Sequence, residues 1–442
     1  MNEQLKYLHE ALKGESGIKY QLHLHRWQTD FLRFYQSQTN YNISKDSITL
    51  SGSLYKDKKP YSFSIDSPDK AKIDTALKTA LAMIDHMPED PDFVDLEDDL
   101  SLAEPKDIPD NISGIPLGKK TEILTRLAKL ADEHDFELYG TFICNLQSYH
   151  MINSNKLDKS GTQSPIYLEV KAVHRLSQVT VLETFGGEDF GYFDEENFAA
   201  NLLDKIKAAK NPVVDVEPGE YEVILAPRCV AEFTQYLAYG MSAFSLDRNS
   251  SFFEGKVDTR VFPEIFSITD DPEDPELIHS DYGDGGHIYR PLKLIENGYF
   301  RAFMCGSYFH HKLGLPKNGN QGSCLSISPG SERLDTMISK VKKGLYISSL
   351  HYMNFINPKE TSLTGLTRDG TFLIEDGKIT KVVNNLRFTE KISRIFENIV
   401  DLEDSATSIP FSDNYADFSV RAIKAPHALI ARFYISSSTR TI

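Results

Sequence analysis

The sequence predicts an α+β fold in which helices flank largely antiparallel sheets. Residues 18–65 alternate apolar and polar positions between turn residues, which is typical of antiparallel strands. Segments 1–13 and 117–133 instead place apolar residues at helical spacing. Residues 136–190 return to a strand pattern with a turn expected at Ser160–Ser164, and the region from Tyr221 onward is strand-rich with many glycines. Because the elements do not alternate regularly as βαβ units, the pattern indicates the α+β class.

Two breaks in the apolar pattern predict a division of the chain into three segments. At 442 residues the chain is too long to fold around a single core. The stretch from Met87 to Asn111 is dense in Asp, Glu and Pro, and residues 212–219 form a polar link with Pro and Gly. Domain boundaries commonly fall in such stretches. The predicted segments are an N-terminal α+β domain over 1–111, a middle α+β segment packed with it over 112–215, and a strand-rich C-terminal domain over 216–442.

The charge of the chain argues against nucleic acid as a direct ligand. There are 64 acidic and 48 basic side chains, which gives a net charge of −16. Such a charge repels a phosphate backbone unless a local basic patch overrides it, and the sequence has no such patch.

The sequence also predicts a cytoplasmic protein that neither enters nor binds a membrane. No run of about 18 apolar residues occurs, and the first residues do not resemble a signal peptide. The cysteines are scattered singly without a C-x-x-C pair, which is typical of reduced thiols. We expect all of them to be buried.

A series of short motifs runs through the C-terminal half of the chain. The first is a strand that ends in a Pro-containing turn, and the later ones are mostly glycine-containing turns and strand ends. In chain order they are Val223–Pro227, Ser250–Phe252, Gly255–Val257, Asp270–Pro272, Gly285–Gly286, Leu294–Gly298, Gly319–Asn320, Ser328–Gly330, Gly344–Ile347, Asn357–Pro358 and Leu373–Ile379.

In this order and spacing the motifs resemble those of the TldD/PmbA peptidase family, whose members are also described as modulators of DNA gyrase. The turn at Asn153–Ser154 fits the family's middle segment, so the resemblance extends over nearly the whole chain. One Asn-Gly turn would indicate only a hairpin, whereas an ordered series of motifs is specific.

The family's signature turns fall on four residues of this chain, for which the resemblance implies a structural or substrate-channel role. They are Asp270, Asp271, Gly319 and Asn320. The two aspartates could also act as general acid and base. We favour a structural role, in which they end a strand and accept hydrogen bonds from backbone amides.

One helix decides what the resemblance implies about catalysis. Catalytic members carry H-E-x-x-x-H on the helix after the Pro-containing turn, and a C-terminal cysteine completes their zinc site. There the imidazoles and the thiolate hold Zn²⁺, while the glutamate takes a proton from the bound water. An alignment without gaps from Val223 places the histidine positions on Gln235 and Gly240 and the glutamate position on Tyr236. No cysteine follows Cys324.

We therefore expect this chain to hold no zinc, to have no catalytic residue at these positions and to bind no other cofactor. The helix is expected to extend from about Val230 to Phe244 as a packing element. Its apolar side would carry Val230, Phe233, Leu237, Met241 and Phe244.

Two pairs of histidines are candidates for a chemical role. His23 and His25 lie on one face of a predicted strand and could bind a metal together, but no third ligand is evident nearby. We favour a surface or packing role for both. His310 and His311 are adjacent and would diverge, so we expect them in a loop.

Two hypotheses of different classes follow. In the first, the chain is the non-catalytic, TldE/PmbA-like subunit of a heterodimeric zinc metallopeptidase that degrades or matures unfolded peptides. A TldD-like partner would then carry the zinc, and the peptide would bind as an extended strand. The alternative is a stand-alone regulatory or binding protein without peptidase activity, similar to a gyrase modulator. Catalysis by unrecognised residues is a third option, and a homodimer of the isolated chain stays open.

Overall fold

The structure is a computed structural model that describes residues 2–278, 280–412 and 418–438. An antiparallel sheet forms its N-terminal half. Its strands are β1 (Lys19–Tyr35), β2 (Gln38–Lys56), β3 (Lys59–Asp66), β4 (Phe136–Asn153), β5 (Asp158–Gln163), β6 (Ile166–His174) and β7 (Thr180–Gly187). The spatial order is β3-β2-β1-β4-β6-β7, and β5 also pairs with β4. Because β1 pairs with β4, residues on both sides of position 111 belong to one sheet.

Helices cover the apolar side of this sheet. They are α1 (Glu3–Lys13), α2 (Lys70–Met83), α3 (Asn111–Gly114), α4 (Leu117–Asp132) and α5 (Glu195–Ala209). Leucines of α1 pack against Leu22 and Leu50 of the sheet, while α4 and α5 pack against Phe136 and Phe142. Lys120 of α4 is fully buried and forms an ion pair with Asp30 of β1.

Two further sheets form the C-terminal half. One contains β10 (Ile268–Asp270), β11 (Leu292–Glu296), β12 (Tyr299–Phe300), β13 (Leu325–Ile327), β19 (Thr407–Ser412) and β20 (Val420–Ala425). The other contains β8 (Val213–Val214), β9 (Gly219–Leu225), β14 (Lys343–Asn357), β15 (Ser362–Glu375), β16 (Lys378–Val383), β17 (Leu386–Lys391), β18 (Ile399–Leu402) and β21 (Ala428–Ser438).

Short helices and one longer helix lie among these two sheets. They are α6 (Pro227–Gly240), α7 (Ala243–Asp247), α8 (Ser307–Leu313), α9 (Leu334–Lys340) and α10 (Ile392–Glu397). The large apolar cluster of this half takes side chains from both sheets and from α6 and α10. Helix α6 packs against β14 of one sheet and against β20 of the other, so it lies at the centre of the C-terminal half.

The acidic segment before α3 is irregular, as its composition predicts, and it is bonded to both halves. The side-chain amide of Asn153 donates to the carbonyl of Glu97 over 2.7 Å. The ammonium of Lys106 donates to the carbonyl of Pro272 over 3.3 Å. These bonds hold the segment against the N-terminal sheet on one side and the C-terminal half on the other.

The structure confirms the α+β class with helices flanking largely antiparallel sheets, and it corrects one local expectation. Ser160–Ser164 was expected to be a turn, but most of it lies in β5, because pairing with β4 satisfies its backbone groups. The boundaries near residues 111 and 215 stay predictions, and residues 413–417 and 439–442 of the third segment lie outside the described residues. In the part of the chain that is described, no helix is long and apolar enough to cross a bilayer.

The buried ion pair between α4 and β1 gives a test of how the N-terminal half is held together. Asp30→Ala leaves the Lys120 ammonium buried without its carboxylate, which costs about 3–5 kcal/mol. Asp46→Ala is the matched control, because its pair with Arg26 is exposed and contributes under about 1 kcal/mol. Urea unfolding of both variants measures the difference, and equal losses would contradict the structural role given to Lys120.

Candidate functional site

Helix α6 carries the positions that were predicted to replace a zinc site. Ala226 is extended and Pro227 begins the helix, where its missing N–H leaves no bond unmade. The helix ends at Gly240. Its fully buried side includes Cys229, Val230, Phe233 and Leu237. The ring of Phe233 contacts the rings of Phe388, Phe396 and Phe433.

The predicted extension of this helix to Phe244 is wrong. The hydroxyls of Ser245 and Ser251 donate to the carbonyl of Gly240, over 3.2 and 2.5 Å. In a longer helix this carbonyl would instead accept a backbone N–H from the next turn. Phe244 lies in the separate helix α7, and 44% of its surface is exposed.

Tyr236, at the position of the glutamate, is bonded to a neighbouring strand. Its hydroxyl donates to the carbonyl of Met353 in β14 over 2.5 Å. Its ring lies against that of Phe355, with 5.0 Å between the centroids. Burial raises the pKa of the Tyr236 phenol. The residue therefore joins α6 to β14, and the half-buried Gln235 precedes it on the helix.

Gly240, at the second histidine position, is in close contact with Phe253. A Cβ atom on Gly240 would lie 3.4 Å from Cδ2 of Phe253, already at van der Waals contact. Phe253 is fully buried and stacks on Phe300 with 4.3 Å between the ring centroids. The surroundings of Gly240 therefore leave little room for an imidazole.

The three residues do not fit a zinc ion. An amide, a phenol and a glycine supply neither the imidazoles nor the thiolate that such a site requires. Cys229 of the same helix donates its thiol hydrogen to the carbonyl of Ile347 over 3.3 Å, and burial raises the pKa of this thiol well above its usual value. Over the described ranges, no three His, Cys, Asp or Glu side chains are grouped closely enough to hold a metal ion.

A largely buried ion pair on α6, with side chains 17% and 12% exposed, was missed from the sequence. Nε of Arg228 lies 3.3 Å from Oε1 of Glu232, one turn along the helix. The backbone N–H of Leu350 donates to Oε2 of Glu232 over 3.1 Å, and the Arg228 guanidinium donates to the carbonyl of Pro410 over 3.4 Å. Burial raises the pKa of the Glu232 carboxyl to about 7, although the Arg228 cation lowers it. The sequence signal for this pair was the i, i+4 spacing of Arg228 and Glu232 on a helix with no other charged residue.

The signature aspartate Asp270 is the acceptor at the centre of a buried network. It ends β10 and is fully buried. Its Oδ2 accepts from the hydroxyl of Tyr289 over 2.5 Å, from the side-chain amide of Asn320 over 3.1 Å and from the N–H of Gly322 over 2.9 Å. Its Oδ1 accepts from the N–H of Cys324 over 3.0 Å. All of these donors fix the loop before β13, so the geometry suits a structural role.

The remaining signature residues lie around the same loop. Gly319 has a positive φ of 74°, and a Cβ on it would lie 2.7 Å from Cβ of His287, so only glycine fits this turn. Oδ1 of Asp271 accepts from the N–H of Glu273 over 3.0 Å.

Met304 connects this loop to the end of α6. Its N–H donates to the carbonyl of Met241, and a Cβ on Gly322 would lie 3.1 Å from the Met304 sulfur. Met304 thus lies between α6 and the Asp270 loop.

The histidine pairs occupy two different environments. His23 and His25 line a cavity of about 420 Å³ on one face of the N-terminal sheet. The side-chain amide of Gln21 lies 2.9 Å from Nε2 of His23, and burial lowers the pKa of that imidazole. The expected loop position of His310 and His311 is wrong, because both lie in α8.

Each of the four cysteines is buried and free.

Comparison with known proteins places the C-terminal half in a family. Residues 218–437 match the model of the PmbA/TldA metallopeptidase C-terminal domain. A zinc metalloprotease TldD homolog from Saccharolobus solfataricus is 29% identical over 46% of this chain and 49% of its own length. A metalloprotease PmbA homolog from Buchnera aphidicola subsp. Baizongia pistaciae is 22% identical over 40% of each chain. The match thus spans about half the length of these curated relatives, or less.

Two solved structures share the fold over nearly the whole chain. TldE from Thermococcus kodakarensis superposes with a TM-score of 0.86 at 20% identity, covering 98% of this chain and 99% of its own. A proposed modulator of a DNA gyrase from Thermotoga maritima superposes with a TM-score of 0.85 at 15% identity and the same coverage. At these identities the similarity establishes the fold alone.

Restoring the three metal-site residues on α6 tests whether a zinc site is latent there. In the variant Gln235→His, Tyr236→Glu, Gly240→His, the third change crowds Phe253 and costs about 1–3 kcal/mol. The second removes the hydrogen bond to Met353, worth about 1 kcal/mol. We expect lower stability in urea unfolding and no bound zinc by elemental analysis. Gln235→His alone is the control and changes stability little, and stoichiometric zinc in the triple variant would contradict the account.

Proposed function

The chain belongs to the TldD/PmbA family, and on this premise we propose that it is the non-catalytic subunit of a two-chain zinc metallopeptidase that acts on unfolded peptides. A TldD-like partner carries the zinc ion and the residues that activate water. This chain supplies a folded scaffold and part of the surface that the peptide meets. Isolated, it hydrolyses no peptide.

One observation carries this proposal. Helix α6 keeps its place and its buried apolar side, while the three positions that would hold zinc and activate water carry Gln235, Tyr236 and Gly240. Two of these positions have structural contacts instead, since Tyr236 bonds β14 and Gly240 lies against Phe253. A helix that is retained for packing while its metal ligands are absent suits a subunit whose fold is still needed.

The names of similar proteins support the proposed partnership. A relative of about 29% identity is called a zinc metalloprotease TldD homolog, and a solved protein of the same fold is called TldE. The proposal extends those descriptions to this chain as one half of a TldD/TldE-type pair in the cytoplasm. Zinc therefore belongs to the partner, whose helix would carry the imidazoles that α6 does not have.

The alternative is a stand-alone regulatory protein. The description of the Thermotoga maritima protein as a proposed gyrase modulator is the observation in its favour. A net charge of −16 disfavours direct contact with DNA, so such a regulator would act on protein. Capture of a TldD-like partner by this chain separates the two functions.

Co-expression tests the proposed subunit role. We expect the chain to co-purify with the H-E-x-x-x-H paralogue of its host, with about one zinc ion per pair by elemental analysis. The pair should cleave an unstructured peptide such as reduced casein fragments, whereas this chain alone should not. Loss of cleavage with a chelator and its return with zinc provide the control. Separate elution of the two chains, with full activity in the paralogue alone, would contradict the proposal.

Variants on α6 separate structural from catalytic use of its polar residues. Tyr236→Phe removes one hydrogen bond and lowers stability by about 1 kcal/mol. If the helix is structural, the co-purified pair retains its kcat within about twofold. The matched control is the motif glutamate of the paralogue, whose replacement by Gln abolishes cleavage. A loss of 100-fold or more from Tyr236→Phe, with the pair still assembled, would assign the phenol to the chemistry.

A further inference from the structure

A cavity lies between the N-terminal sheet and the C-terminal sheet that contains β15. It has a volume of about 700 Å³, which is within the usual range for a site that holds a small ligand. Residues of β6 line one wall, and residues of β15 and the end of β16 line another. None of its lining residues belongs to α6 or to the Asp270 loop, and the proposed subunit role makes no use of it.

A β-bulge shapes one wall of this cavity. Ile347 pairs with Thr371 and Ser349 pairs with Arg368, so one residue of β14 faces two residues of β15. These two are Asp369, with φ of 51°, and Gly370, with φ of 112°. A bulge turns a side chain in a new direction, and a left-handed conformation at a residue other than glycine persists only where its surroundings hold it.

The bulge buries a carboxylate that has only one of its oxygens paired. The Asp369 side chain is 7% exposed, and its Oδ2 lies 3.1 Å from Nζ of Lys171. Its Oδ1 accepts no hydrogen bond from any residue that the structure describes, and Nε of Arg368 stays 4.0 Å away. An unpaired buried oxygen costs about 1–3 kcal/mol, so a donor from a ligand would stabilise it.

Beside the bulge two cations flank one carboxylate, whereas over the whole lining the positive and negative charges balance. Lys171 and Arg368 are cations, and Asp369 is the carboxylate between them. Asp215 also lines the cavity, and the Asn384 side chain donates to it. Lys171 and Arg368 are partly exposed, so their Nζ and guanidinium groups can turn toward an anion.

The rest of the lining combines polar side chains with an aliphatic group. Five valines contribute to it, two from the N-terminal sheet and the turn after β6, and three from β8 and β16. They are Val173, Val179, Val213, Val382 and Val383. Consider a ligand whose N–H lies near Asp369 and whose anionic group lies near Lys171 and Arg368. An apolar side chain of that ligand would contact the valines.

We propose that this cavity binds an α-nitrogen and its neighbouring carboxylate, as found in the C-terminal residue of a peptide and in a free amino acid. The N–H donates to Oδ1 of Asp369, the carboxylate accepts from Lys171 and Arg368, and an aliphatic side chain contacts the valines. The choice of ligand rests on the proposed function, because a peptidase subunit meets peptide ends. Binding itself requires no catalytic partner, so its failure is distinguishable from failure of the subunit role.

Calorimetric titration of the full-length chain with three probes tests the proposal. The probes are alanyl-valine, its C-terminal amide and free valine. We expect alanyl-valine or valine to bind with one site, and alanyl-valine amide to bind at least tenfold more weakly, because it has no carboxylate for the cations. Tighter binding of alanyl-valine identifies peptide C-termini as the source, and tighter binding of valine identifies free amino acids. Equal binding of the amide, or no binding of either acid at millimolar concentration, would overturn the proposal.

Variants locate the binding. Lys171→Met should weaken alanyl-valine binding at least tenfold, and Lys381→Met should not, because Lys381 does not line the cavity and its ammonium pairs with Glu375. Val213→Trp is the second variant, since Val213 is 41% exposed and a larger ring there fills the cavity without entering the core. Thermal melting confirms that each variant is folded. Unchanged binding in both Lys171→Met and Val213→Trp would overturn the assignment to this cavity.

Discussion

The packing of α6 between the two C-terminal sheets is the constraint on which the rest of this half depends. Phe233 fixes the helix against a cluster of aromatic rings, and Gly240 lets its last turn approach Phe253. A Cβ at this position would already be in van der Waals contact with that ring, so a larger side chain would press against a buried phenyl group. The same packing holds Gln235, Tyr236 and Gly240 in place along α6.

The elements that the sequence predicted are those with strong local signals. The alternation over 18–65 corresponds to β1, β2 and β3, and the proline before the apolar series of α6 marks its start. The end of α6 could not be read, because it depends on hydroxyls of Ser245 and Ser251 that reach back to Gly240. Strand β5 was missed for a similar reason, since its turn-like composition is outweighed by pairing with β4.

The polar features of the site were the least predictable. The Arg228–Glu232 pair is buried by contacts with Leu350 and Pro410, which lie more than 100 residues away in sequence. The Asp-Gly dipeptide at 369–370 is typical of a turn. Only the pairing of β14 with β15 shows that it forms a bulge, which lines a cavity. Residue identity at positions 235, 236 and 240 carries the prediction that α6 holds no zinc, whereas tertiary contacts determine what Tyr236 and Gly240 do there.

The location of zinc in the assembled pair tests the central claim most directly. Anomalous diffraction at the zinc absorption edge, from crystals of this chain bound to its H-E-x-x-x-H paralogue, places the metal without any assay of activity. The account predicts one anomalous peak per pair, at the paralogue's helix, and Tyr236 of this chain bonded to Met353 as in the isolated chain. A zinc peak within coordination distance of α6 in this chain would contradict it.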